Sequence, residues 1–208
     1  MRKLFAILLF IVFAAPVFAA IATPEQLKIY QERLAAATND LQRGDEQANI
    51  DIYGGDDPQS FDEIVTRTKA AFAKHNYVND KYAISKACQI ACWSYNGKFG
   101  ADAYKVAKAD NNFFVYYLAR THRQALGLTD DECFDIYSAA LLRDGAFLSM
   151  DDVRSAVDDL IKLAPMVDET KAKTTLKKLN RLYSPRLIKD KASWEPVVAM
   201  IRTALDTY

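Results

Sequence analysis

An all-α fold is expected for this chain, as a single globular domain of about seven to nine helices with antiparallel neighbours. Three observations predict it. Four capping patterns, each a Ser or Thr followed three residues later by an acid or amide, stand ahead of apolar runs. Apolar residues then return at helical spacing over almost the whole length. Gly and Pro number only seven and six in 208 residues, too few for a turn-rich sandwich or barrel of short strands.

Residues 1–22 have the layout of a secretory signal peptide. Arg2 and Lys3 give a basic start, Leu4 to Ala15 is uninterrupted apolar sequence, Pro16 breaks it, and small residues end it before Ala22. The nineteen uncharged residues from Leu4 to Ala22 also match the length of a membrane anchor, which is the rival reading. No Cys stands just after the apolar run, the first being Cys88, so no lipid anchor is expected. The mature chain is expected to be 23–208, secreted or periplasmic.

The helices follow in order. Thr23-x-x-Gln26 opens the first, with Leu27, Tyr30, Leu34 and Leu41 on one stripe. Arg43 to Gln59 reads as a long acidic loop, with Ala48 to Tyr53 as a short extended piece. Ser60-x-x-Glu63 opens a helix carrying Phe61, Ile64, Val65, Thr68 and Phe72. Asp80 to Tyr95 places Ile84, Ala87, Cys88, Ala91, Cys92 and Tyr95 on one face. Ala101 to Leu126 reads as one long or kinked helix, weak near Asn111-Asn112. Thr129-x-x-Glu132 and Ser149-x-x-Asp152 open the next two helices. Asp168 to Tyr183 and Ser193 to Thr207 complete the set.

Composition narrows the function classes. Half the residues are apolar and 26% are charged, an ordinary globular balance. Without Arg2 and Lys3 the chain carries 25 basic and 27 acidic side chains, unevenly placed. From Lys171 to the end there are nine basic and three acidic residues. That basic segment includes Lys173, Lys177, Lys178 and Arg181 opposite a stripe of Leu176, Leu179 and Leu182. The face is a candidate for an acidic protein or, peripherally, a membrane surface. An exported protein does not meet nucleic acid, so none is expected as a partner. Asp51, Asp56 and Asp57 of the acidic loop are the other partner-binding candidates.

No catalytic, cofactor-binding or metal-binding set is assigned. The chain lacks C-x-x-C, H-E-x-x-H, G-x-S-x-G and a phosphate-binding Gly loop. Its two histidines, His75 and His122, read as surface residues. The best calcium-loop fit, Asn49-x-Asp51-x-Tyr53-Gly54, puts Tyr at the fifth position and Ser60 at the twelfth, a poor donor set. Cys88, Cys92 and Cys133 are the disulfide candidates, because an exported protein meets an oxidising compartment. Cys88 and Cys92 lie one turn apart, with Cβ atoms about 5–6 Å apart in a regular helix against about 3.8 Å in a disulfide. Cys133 is therefore expected to bridge to one of them. The full-circumference apolar run Phe113 to Leu118 reads as a central core helix.

These features favour a non-enzymatic interaction protein of the inhibitor, immunity, chaperone or adaptor type, binding a protein partner stoichiometrically. Two alternatives stand beside it. One is a carboxylate-dependent enzyme on envelope polymers. The other is a small-ligand carrier with a pocket near Tyr116, Tyr117 and Trp93.

Overall fold

The structure is a computed structural model, and it describes residues 24–54, 56–75, 80–143 and 147–208. The leader read over 1–22 and the Thr23 cap lie outside the described residues. Every described element is helical, and the residues divide into two compact units that meet in sequence at Gly100 and Ala101. No described helix is long and apolar enough to cross a membrane.

The first unit holds α1 (Pro24–Ala36), α2 (Asp40–Tyr53), α3 (Phe61–Lys74), α4 (Asp80–Trp93) and a 3-10 turn at Tyr95–Gly97. Each helix packs on the next along the chain. Phe61, Ile64 and Phe72 of α3 and Ala87, Cys88, Ala91 and Cys92 of α4 are buried, as their spacing predicts, and Ile90 is buried beside them.

The expected loop at 43–59 is largely helix α2, and the extended piece at 48–53 is its last part. Asn39 caps it by accepting from Gln42 N at 2.9 Å. Its buried face is Gly44, Ala48, Asn49 and Ile52, small and partly polar, which is why the hydrophobic pattern is faint. A Cβ on Gly44 would stand 3.3 Å from the His75 carbonyl oxygen. Glycine thus lets α2 pass close to the end of α3. The irregular connection shrinks to the residues between Tyr53 and Phe61.

At the start of α3 the Ser60 hydroxyl accepts from Glu63 N at 3.1 Å. The Glu63 carboxylate returns its bond to Gln59 N at 2.8 Å, one residue earlier than a capping box requires. Thr68, wholly buried, gives its hydroxyl proton to the Ile64 carbonyl.

The second unit holds α5 (Gly100–Ala109), α6 (Phe114–His122), α7 (Asp130–Leu141), α8 (Met150–Leu163), α9 (Glu169–Tyr183) and α10 (Lys191–Leu205). Short 3-10 turns fall at Ala164–Met166 and Ser184–Ile188. Helix α6 packs on α7, α7 on α8, and both α8 and α9 on α10. Phe114, Tyr116, Tyr117, Leu118 and Ala119 of α6 are buried, as expected of a helix apolar on all sides.

The expected single helix at 101–126 is two. Asn111 takes a left-handed φ of 48°, a conformation Asn tolerates better than most residues. Asn112 N then bonds back to Ala107 O at 2.8 Å, closing α5. The Asn112 side chain accepts from Phe114 N at 3.0 Å and starts α6. This split and α2 raise the count among the described residues to ten α-helices, above the seven to nine expected.

Helix α7 has the full capping box: Thr129 Oγ1 accepts from Glu132 N, and Glu132 Oε2 accepts from Thr129 N at 2.9 Å. Ser149 caps α8 by accepting from Asp152 N, but Asp152 returns its bond to the serine hydroxyl rather than the backbone. Helix α10 begins two residues earlier than expected, because Asp190 accepts from Ser193 N at 3.1 Å.

Candidate functional site

The basic segment found in the sequence forms α9 and the turn after it. Asp168 caps α9, accepting from Lys171 N at 2.8 Å. Ala172, Leu176, Leu179 and Tyr183 are buried along one side, at the spacing of a single helical stripe. Tyr183 also gives its hydroxyl proton to the Leu141 carbonyl at 2.5 Å, fixing the end of α9 to the end of α7. With that stripe inward, Lys177, Lys178 and Arg181 lie together on the outer side, all exposed.

The segment's cations divide into two groups. Lys171 sits between Asp135 at 2.7 Å and Asp131 at 2.9 Å. Hydrogen bonds to Asp135 and then Asp131 hold its ammonium above the ordinary lysine range. Lys173 donates to the backbone oxygen of Tyr208 at 2.5 Å. Arg186 lays its guanidinium over the Trp194 ring at 4.6 Å and the Tyr183 ring at 5.5 Å. The side chains of Lys177, Lys178, Arg181 and Lys189 make no ion pair, hydrogen bond or ring contact with any described residue. Among the described lysines and arginines only Lys86 shares that condition. Four unengaged cations therefore cluster between Lys177 and Lys189. Ile188, next to Lys189, is 90% exposed.

The acidic candidates do not form one patch of a single loop. Asp51 belongs to α2, where its carboxylate meets Lys74 Nζ at 2.8 Å, His75 Nε2 at 3.2 Å and Gln47 Nε2 at 3.2 Å. Burial alone would raise its pKa, but these three bonds outweigh it and hold the group below the ordinary aspartate value. Asp56 and Asp57 are exposed in the connection after α2. The Asp56 carbonyl oxygen accepts from Arg67 at 2.6 Å. His75 and His122 are both half-buried, where surface positions were expected.

The cysteines are likewise corrected. Cys88, Cys92 and Cys133 are all buried thiols, and among the described residues no disulfide forms. Cys88 and Cys92 stay one turn apart in regular α4, out of bridging reach. Cys133 packs as a small apolar side chain inside α7. Burial pushes its thiol up despite the nearby Arg123 guanidinium.

Two further clusters bear on the alternatives. In the second unit a cavity of about 370 Å³ is lined by Tyr104, Phe113, Val115, Tyr116 and Ile136, with Lys108, Glu132, Asp135 and Arg143 at polar positions. Tyr116 lines it, while Tyr117 and Trp93 do not. The polar residues are already committed. Glu132 caps α7, Asp135 holds Lys171, Arg143 donates to Asn111 O, and Lys108 lies over the Tyr104 ring. Tyr117 accepts from Leu148 N at 3.0 Å. Burial pushes the Tyr137 hydroxyl up to about 12.

In the first unit, burial raises the Glu46 carboxyl above its ordinary value, against the pull of Arg33 and Lys86. Its Oε2 atom and the Asn49 Oδ1 atom are buried without a described hydrogen-bond donor. Burial lowers the Lys86 ammonium. Among the described residues no group of three or more His, Cys, Asp and Glu side chains is placed to hold a metal ion.

The fold and surface define an all-helical protein of two compact units, the second bearing an unengaged cationic helix face. No family model, no characterised protein and no solved structure matches the chain in comparison.

Proposed function

We propose that this is an exported, non-enzymatic interaction protein that acts by stoichiometric binding, through the outer face of α9, to a partner in the envelope that presents negative charge. The observation that carries this reading is the clustering of Lys177, Lys178, Arg181 and Lys189 without internal partners. Nearly every other described cation is neutralised or stacked within the molecule. Cations left unpaired on one stripe keep their full field for an outside anion, which speeds encounter and selects against cationic partners. The place of Lys177, Lys178 and Arg181 in the C-terminal half of α9 also agrees with the helix dipole, so the fold loses little by keeping them charged.

Retention on immobilised poly-glutamate tests the reading. The wild-type protein should be retained at low salt and released as salt rises through about 0.2 M, where screening shortens to under about 10 Å. Replacing Lys177, Lys178 and Arg181 together by Gln should abolish retention. Equal retention of that variant would remove α9 from the function.

The enzyme alternative keeps one supporting observation, the raised Glu46 carboxyl beside Lys86. Turnover of envelope polymer that disappears in Glu46→Gln would replace the binding reading.

A further inference from the structure

We infer that the anionic partner is a lipid bilayer surface, bound by the unengaged cations of α9 with Ile188 entering between headgroups. The inference rests on the reading of α9 as a docking face. It adds the chemistry of what docks there.

Three of the four unengaged cations are lysines. Lysine is depleted at protein interfaces, where arginine and aromatic anchors dominate. Its compact ammonium on a flexible stem makes a point-charge contact that suits mobile phosphates, which offer no fixed fork geometry. The segment's best protein-anchoring groups, Arg186 and Trp194, are stacked on each other at 4.6 Å.

Ile188 supplies the second observation. At 90% exposure it stands above every other exposed large apolar side chain described, the next being Met166 at 67% and Leu41 at 65%. It ends the 3-10 turn that follows α9 directly, and Lys189 follows it. An apolar tip next to a long cation is an arrangement in which the tip reaches the acyl boundary while the ammonium group remains at phosphate level.

Each cation near an anionic leaflet strengthens binding by about fivefold, the equivalent of about 1 kcal/mol. The three cations of α9 together account for roughly a hundredfold.

Co-sedimentation with vesicles tests this, using protein recovered after export so that every variant carries the same N-terminus. Vesicles of phosphatidylcholine with about one-third phosphatidylglycerol should bind the protein, and vesicles of phosphatidylcholine alone should not. The triple variant K177Q/K178Q/R181Q should lose about a hundredfold in partitioning, and I188S about tenfold. K105Q, which removes an exposed cation already paired with Asp102 at 3.2 Å, should bind like the wild type. Far-ultraviolet circular dichroism of each variant checks that the helices persist.

Wild-type partitioning that ignores phosphatidylglycerol overturns the lipid inference. So does an I188S variant that partitions unchanged. If vesicles are ignored while poly-glutamate retains the wild type and not the triple variant, the partner is an acidic protein, and the docking reading stands without the lipid. If neither probe binds, both fall.

Discussion

Asp51 joins two helices through one carboxylate. Its oxygens take Lys74 and His75 from the end of α3 and Gln47 from its own helix. Because its folded pKa lies below the ordinary value, it stabilises the fold at pH above that ordinary value. The contribution disappears as pH falls through the depressed folded value. Asp51→Asn should therefore lower the unfolding midpoint at neutral pH and flatten the acid limb of a stability-against-pH curve. An acid limb as steep as that of the wild type would remove Asp51 from the account. Tyr183 makes the matching tie in the second unit. Tyr183→Phe removes the donor to the Leu141 carbonyl and should cost about 1 kcal/mol in urea unfolding.

At the scale of elements, terminators decide the fold as much as stripes do. Gly127 has a φ of 63° with nothing within 4 Å of where a Cβ would stand. Gly127→Ala therefore meets no clash, and its cost is conformational alone, about 1 kcal/mol by thermal unfolding. Asn39→Ala, which removes the α2 cap, should cost a similar amount, about 1 kcal/mol. The helices with strong apolar faces were legible: α7, α8 and α9 begin at or next to the residues that their caps indicated. Helix α2 was not, because Gly44, Ala48 and Asn49 bury little apolar area and Asp45, Glu46 and Asp51 resemble a solvated loop. Its remaining signal was the Asn39 cap with small residues at positions 44 and 48 and Ile52 after them. The break at Asn111-Asn112 was visible in the residue types, but whether it kinks or divides a helix depended on the left-handed turn there.

For the whole molecule, equal numbers of acidic and basic residues conceal the feature that matters, which is where charges lack internal partners. The cationic run was readable in the sequence. The commitment of Lys171 to Asp131 was not, because forty residues separate the pair. Local spacing likewise gave no hint that Lys173 reaches Tyr208. Helical periodicity places side chains on a face, but only packing shows which of them are already occupied. The same limit explains the disulfide expectation, which drew on compartment and composition where burial and helix geometry decide. A thiol count without reductant should give three per chain after unfolding and little rapid reaction in the native state, since all three cysteines are buried. A count of one after unfolding would restore the bridge.

Those three thiols set a constraint on how the protein reaches its native state. If the chain folds in an oxidising compartment, each thiol must be sealed by packing before it meets a partner or an oxidant. Folding then becomes a race between burial and mispairing, and a wrong bridge traps the chain. Refolding from denaturant should thus give a higher yield with reductant than under glutathione disulfide, and a variant with Ala at 88, 92 and 133 should erase the difference. In such a compartment the protein's thiols are a hazard that its folding speed must outrun.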